Sequence, residues 1–130
     1  MRKRAKGRKS ELAQECEKLF SLLVRKIGSC ERCGATSTLQ WAHVLPRGAY
    51  PNLKFDILNS LCLCYRCHIN FAHKSPLEFT EWFKRKFPER YIYLMTARNV
   101  LVHRTLLDYE ELKLNIINEN VRKLTIPNIG

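Results

Sequence analysis

Apolar residues recur at three- and four-residue steps along residues 11–27, and this period predicts an amphipathic helix. Ser10 is a suitable N-cap for this helix, acidic residues occupy its first turn, and Gly28 suits its exit. The apolar stripe consists of Leu12, Cys16, Leu19, Leu23 and Ile27. Cys16 is therefore predicted to be a core residue.

The helical period returns in residues 76–124, where prolines divide it. Pro76 can open a helix that runs to Phe87, Pro88 can start a second helix, and a third is predicted from about Thr105 to Leu124. The apolar positions of these helices are Leu77, Phe79, Trp82, Phe83, Tyr91, Leu94, Met95, Leu106, Tyr109, Leu112, Ile116 and Ile117. Four positions in the second and third helices can pack internally or against a second copy of the chain: Leu94, Tyr109, Leu112 and Ile116.

Between the helical regions the period changes to two. Leu39, Trp41 and His43 alternate with other residues, which predicts a strand that carries all three on one face. Pro46 and Gly48 then mark a loop. Helices and strands that are segregated along the chain indicate the α+β class.

The length of the chain indicates its domain organisation, and its net charge indicates the kind of partner it binds. A chain of 130 residues is typical of one domain, and we divide it into a basic arm (1–10), an N-terminal helix with a small core (11–75) and a helical extension (76–130). The formal net charge of +11 favours a polyanionic partner, and nucleic acid is the usual one. The arm has no apolar anchor, so we predict that it is disordered in the free protein and follows phosphates when bound.

No apolar run approaches the ~18 residues that a membrane-spanning helix requires. The basic N-terminus also lacks the apolar segment of a signal peptide, so we expect a cytoplasmic protein without a membrane partner. In a reducing compartment, closely spaced cysteines indicate metal ligands rather than disulfides.

Two C-x-x-C pairs give the strongest chemical signal in the chain. Their members are Cys30, Cys33, Cys64 and Cys67. Four thiolates can bind a structural Zn²⁺ tetrahedrally, and Gly34 permits the tight turn after the first pair. Cys62 lies two residues before Cys64 and could compete as a ligand, although the Cys64–Cys67 spacing is the better one.

The order of these residues resembles HNH (ββα-metal) endonucleases of the zinc-knuckle subclass. The matching residues are Cys30, Cys33 and Gly34, then Ala42, His43 and Pro46, then Asn59, Cys64, Cys67 and His68. The segment Leu53-Lys54-Phe55-Asp56 and the stretch from Pro76 to Trp82 are similar to phage recombination nucleases of the NinG (Rap)/Ref type. The resemblance covers about 30–97.

The resemblance implies a small ββα-metal core that hydrolyses phosphodiester bonds in DNA. It implies that His43 is the general base and that Asn59 holds its ring, by bonding the imidazole or the nearby backbone. It also implies that His68 is a ligand of a catalytic Mg²⁺ or Mn²⁺. Little sequence specificity, a role in recombination or DNA processing, a recombinase or other recombination protein as partner, and a bacterial host cell if phage-encoded follow as expectations.

The chain departs from the family pattern at two positions. Family members often carry a metal-binding Asp or His immediately before the base, where this chain has Ala42. They often place a second ligand four residues after the first, whereas His73 lies five residues after His68, about 140° away on an ideal α-helix. His73 can serve as a ligand only if the helix is short or bends. Asp56 is a substitute ligand or, in the plainer interpretation, a turn or capping residue.

Phosphate contacts are expected from basic residues in three regions of the chain. These residues are Arg2, Lys3 and Arg4 in the arm, Arg47 and Lys54 in the middle, and Lys84, Arg85 and Lys86 on the first C-terminal helix. Two other functional classes remain open: a non-catalytic zinc-containing protein that binds nucleic acid, and an assembly protein that uses its C-terminal helices. His43 is needed only by the nuclease.

Overall fold

The computed structural model describes residues 2–119, with side chains from residue 7 onward, and its fold is α+β. The elements follow in the order α1 (Arg2–Arg25), β1 (Gln40–His43), β2 (Ser60–Leu63), a π-helix (Arg66–His73), α2 (Pro76–Lys86), α3 (Pro88–Ala97) and α4 (Leu106–Ile117). Two short 3₁₀ helices, Pro51–Leu53 and Ile57–Asn59, lie in the connection between the strands. None of the helices in residues 2–119 combines the length and the apolar character that crossing a bilayer requires.

The helix α1 begins at Arg2, so the helix start predicted at residue 11 is wrong and the described helix includes residues 2–10. The predicted apolar stripe also needs correction, because the buried side chains recur at four-residue steps. They are Leu12, Cys16, Phe20 and Val24. Leu19 and Leu23 flank this stripe and are half-buried, while Ile27 is 52% exposed. The reason is that α1 is covered by both α4 and the hairpin, which buries a face centred one position away from the predicted one.

The two strands form an antiparallel hairpin in which Gln40 pairs with Leu63 and His43 pairs with Ser60. All four residues of β2 are buried, and they face two different clusters of apolar side chains. Leu61 and Leu63 pack toward α2 and α3, whereas Cys62 packs toward α1 and α4. This alternation follows from the two-residue period of a strand, and it places the hairpin at the centre of the molecule.

The cysteines outside the C-x-x-C pairs are core residues, as predicted for Cys16 and as favoured for Cys62. Both are fully buried in the cluster between α1 and α4. Burial raises the pKa of the Cys16 thiol to about 11 and also raises the pKa of Cys62, so both remain protonated and inert at neutral pH.

The prolines delimit α2 and α3 as predicted. The third C-terminal helix ends at Ile117, and residues 120–124 of the predicted helix lie outside the described residues. Leu94 and Ile116 are buried inside the molecule, which settles their packing as internal. Leu77 and Ile117, by contrast, are 80% and 56% exposed, so these two apolar positions lie outside the core.

Candidate functional site

Four cysteines come together at the turn before β1 and the turn after β2. Cys30, Cys33, Cys64 and Cys67 have sulfur atoms that all lie within 4.8 Å of one another. The Sγ atoms of Cys33 and Cys64 are 3.6 Å apart, close to the roughly 3.8 Å between two thiolates at tetrahedral corners 2.3 Å from Zn²⁺. The cluster therefore fits a structural metal ion such as zinc.

The backbone around the first pair is built to accept a thiolate. Gly34 has a φ of +80°, and its amide donates to the carbonyl of Cys30 at 2.9 Å, which closes the predicted knuckle turn. Burial opposes ionisation of Cys30, but the amides of Cys64, Cys33 and Arg32 outweigh it and lower the pKa of that thiol to about 6. A lowered thiol pKa favours the ionised form that a metal binds.

Two knuckle residues that sequence reasoning did not single out fix this site to the rest of the fold. Glu31 brackets the backbone of Cys62, because its amide donates to the Cys62 carbonyl and its carboxylate accepts from the Cys62 amide, both at 2.8 Å. Arg32 donates to the sulfur of Cys67 at 3.5 Å while its guanidinium lies 3.5 Å from the centre of the Phe71 ring. A cation beside the cluster offsets the negative charge of four thiolates.

His43 ends β1, half-buried, with its ring held on two sides. Its Nε2 donates to the carbonyl of Lys54 at 2.9 Å, and its ring centre lies 4.6 Å from that of Trp41 on the same strand face. Because a carbonyl can only accept, Nε2 carries the proton and Nδ1 carries the lone pair of the neutral ring. Burial lowers the pKa of His43, as does the charge of Arg47, so the ring is neutral at pH 7.

Asn59 is fully buried at the start of β2 and uses its whole amide on backbone groups. Its Oδ1 accepts from the Leu45 amide at 2.8 Å, and its Nδ2 donates to the carbonyls of Leu45 and Leu53 at 3.0 and 3.1 Å. These bonds tie the chain just after His43 to the turn that contains Lys54, the partner of the His43 ring. The resemblance implies that Asn59 bonds either the His43 ring or the nearby backbone, and in the structure its amide bonds the backbone.

The helix that carries His68 is a π-helix, and this resolves the problem of the five-residue spacing. Hydrogen bonds from i to i+5 make five residues complete about one turn, so His68 and His73 lie on the same side. Their ring centres are 4.6 Å apart with the planes at 76°. Ala72, which an α-helix would turn toward His68, is instead buried in the core.

Gln40 is a site residue that sequence reasoning missed. Its Oε1 accepts from Nδ1 of His68 at 2.7 Å, across the gap between β1 and the π-helix. The proton on Nδ1 leaves the lone pair on Nε2, which is the nitrogen available to bind a metal. Burial and the charges of His73 and His43 lower the pKa of His68 to about 4, so the ring is neutral at pH 7. Only the alternation of β1 could have hinted at a role for Gln40.

In the part of the chain that the structure describes, no third Cys, His, Asp or Glu side chain forms a three-residue metal cluster with His68 and His73. Among the residues that the structure describes, the four cysteines are the single group of three or more Cys, His, Asp or Glu side chains with clustered ligand atoms. Asp56 is buried and acts as a capping residue, since it accepts from the Leu58 amide and from the hydroxyl of Tyr93. Ala42 is buried in the hairpin. Because its carboxylate makes these two bonds, Asp56 has the predicted capping role and is not placed as a substitute metal ligand.

The basic residues named from the sequence occupy different surroundings. Arg47 is exposed close to His43, and Arg85 is exposed on α2. Lys54 pairs with Glu17 and is only 23% exposed, so its charge is used within the fold. Lys84 and Lys86 lie over aromatic rings of α3 and α2, and Lys86 also donates to the carbonyl of Glu31. The side chains of Arg2, Lys3 and Arg4 lie outside the described residues.

Comparison of the chain with protein-family models, with curated proteins and with solved structures finds no match.

Proposed function

We propose that the protein is a metal-dependent DNA endonuclease of the HNH (ββα-metal) type, in which a structural zinc site supports a separate catalytic site. One observation carries the proposal: the π-helix brings His68 and His73 side by side with ring centres 4.6 Å apart, and His68 bonds Gln40 on β1, the strand that ends at His43. The order of β1, β2 and π-helix agrees with a ββα-metal core.

His43 has the properties that a general base for phosphodiester hydrolysis needs. It is neutral at pH 7, and its Nδ1 lone pair can take a proton from an attacking water. The Lys54 carbonyl and the Trp41 ring fix the direction of that lone pair. Asn59 holds the backbone on both sides of this contact, so it is a positioning residue.

His68 would bind the divalent ion through its Nε2 lone pair, and His73, beside it, would be the second ligand. When bound, the ion stabilises the negative charge that develops on the phosphate and on the leaving 3′ oxygen. Imidazole nitrogens suit transition ions better than the oxygen-preferring Mg²⁺, so of the two expected cofactors the donor set favours Mn²⁺. Ala42 offers no ligand atom, so water and phosphate oxygens would have to supply the remaining ligands of the ion.

Nicking of supercoiled plasmid tests the proposal. We expect wild-type protein to nick with Mn²⁺, and His43→Ala to nick about 10²- to 10⁴-fold more slowly because the proton acceptor is missing. His103→Ala is the matched control, because His103 is an exposed histidine outside the site and its loss should leave the rate unchanged.

Equal nicking by wild type and His43→Ala would show that the activity does not depend on this base and would refute the proposal. Absence of nicking on duplex, single-stranded and branched DNA by zinc-loaded wild type would instead favour the non-catalytic zinc protein.

A further inference from the structure

A groove of about 440 Å³ lies between α1 and the loop that follows β1. Its wall on α1 carries Lys18, Ser21, Leu22 and Arg25, and its other side carries Trp41 and Arg47. The α1 residues recur at steps of three and four, so one face of the helix lines the groove along its length.

The charge of the groove is positive. Lys18, Arg25 and Arg47 are exposed cations, and Arg25 is oriented by the bonds of its Nε to the hydroxyl and carbonyl of Ser21 at 3.1 and 3.3 Å. Glu17 is the acid among the described lining residues, and its ion pair with Lys54 neutralises it. Three cations without a competing acid favour a phosphate-bearing ligand.

The groove also offers apolar surface between its cations. Leu22 is 57% exposed, and Trp41 is half-buried against Phe20 with a ring-centre distance of 4.9 Å. The Trp41 indole is held in place because its Nε1 donates to the hydroxyl of Ser60 at 3.0 Å. Apolar surface flanked by cations matches a nucleic-acid strand, in which apolar sugar edges alternate with phosphates.

The inner end of the groove adjoins the candidate base. Trp41 forms part of the lining and its ring centre is 4.6 Å from that of His43. Arg47, which shares this side of the groove with Trp41, lies four residues after His43 in the loop that follows β1. A strand lying in the groove would therefore continue directly to His43.

We propose that this groove binds the sugar–phosphate backbone of the DNA strand on one side of the phosphate that is cleaved. The assignment of the cleaved phosphate rests on the proposed nuclease function, whereas binding in the groove does not. Phosphate contacts from Lys18, Arg25 and Arg47 position the strand without reading its sequence.

The salt dependence of binding to a labelled DNA duplex, measured in a His43→Ala background without added divalent ion, tests this assignment. The groove variant combines Lys18→Ala, Arg25→Ala and Arg47→Ala. The matched control combines Lys26→Ala, Arg98→Ala and Lys113→Ala, three cations that lie outside the groove and are not among the expected phosphate contacts, so both variants lose the same charge. Melting temperature and zinc content verify that each variant is folded.

We expect the groove variant to lower the slope of log K against log salt by about 2.7, because each lost phosphate contact removes about 0.9. The control should change the slope much less. If the groove variant melts early, Lys18→Ala and Arg47→Ala alone should each lower the slope by about 0.9. Equal slopes for the groove and control variants would overturn the proposal that DNA binds in the groove, even if wild type nicks DNA. A smaller slope of log K against log salt in the groove variant than in the control supports binding in the groove, even if wild type does not nick DNA.

Discussion

At the scale of single residues, the candidate site is defined by which ring nitrogen each histidine has left for chemistry. His43 uses Nε2 on a backbone carbonyl, and His68 uses Nδ1 on the side chain of Gln40. Each bond fixes a tautomer as well as a direction, so the free nitrogens are Nδ1 of His43 and Nε2 of His68. Such partners tune a ligand or a base without touching the substrate.

Gln40 should therefore control metal affinity. Gln40→Leu removes the acceptor of the His68 proton, and we expect the Mn²⁺ concentration for half-maximal nicking to rise about 10- to 100-fold. Nicking at saturating Mn²⁺ should change little, and Gln40→Glu, which keeps an acceptor oxygen, should restore the affinity. Gln14→Leu, the same change at an exposed position of α1, is the control. An unchanged Mn²⁺ requirement in Gln40→Leu would rule out this positioning role.

Single-residue features that depend on local chemistry were predictable from the sequence. The C-x-x-C spacing predicted the cysteine cluster, and the glycine after Cys33 predicted the knuckle turn. The contact between Gln40 and His68 was not predictable, because it joins residues 28 positions apart across two elements. The ion pair between Lys54 and Glu17 was not predictable for the same reason, and the sequence analysis expected Lys54 to contact phosphate instead.

At the scale of elements, the π-helix Arg66–His73 determines which side chains can act together. It widens the turn so that the five-residue spacing of His68 and His73 becomes a contact, and it turns Ala72 into the core. A π-helix is uncommon and tends to occur at functional sites. Its hydrogen bonding depends on the packing of its neighbours, which explains why the helical period of the sequence did not reveal it.

Moving the second histidine by one position tests this element. His73→Ala should weaken Mn²⁺ activation, and the double variant His73→Ala/Ala72→His should fail to restore it, because position 72 faces the core. The new side chain should also cost about 1–3 kcal/mol of stability through overpacking. Mn²⁺-dependent nicking and the melting temperature measure the two effects. Full recovery in the double variant would mean that the segment is an ordinary α-helix in solution.

At the scale of the molecule, two apolar clusters lie on opposite sides of one small hairpin. The proline-delimited helices were predictable, since prolines act locally. The buried stripe of α1 was predicted one position away, because it depends on the joint coverage by α4 and the hairpin. A chain of 130 residues has limited core, so the cysteine cluster that joins the two turns should be needed for stability.

Zinc content separates the structural cysteines from their neighbour in the core. Wild type and Cys62→Ser should each bind one zinc ion per chain, whereas Cys64→Ser, a change two residues away, should lose it. Loss of the metal should lower the melting temperature by about 10 °C or more, because the binding free energy of a structural Zn²⁺ is part of the folding free energy. Atomic absorption and calorimetry measure both quantities. Wild-type protein that is folded without any bound metal would contradict a structural zinc site.

The bracket that Glu31 forms around Cys62 has a consequence for association between molecules. In the hairpin register, the amide and carbonyl of Cys62 point away from β1, toward the outer edge of β2. Glu31 occupies both groups, and Arg90 donates to the carbonyl of Ser60 on the same edge at 2.8 Å. Because these positions are already bonded, a strand from another molecule cannot extend the sheet there, and the knuckle protects the protein against edge-to-edge aggregation.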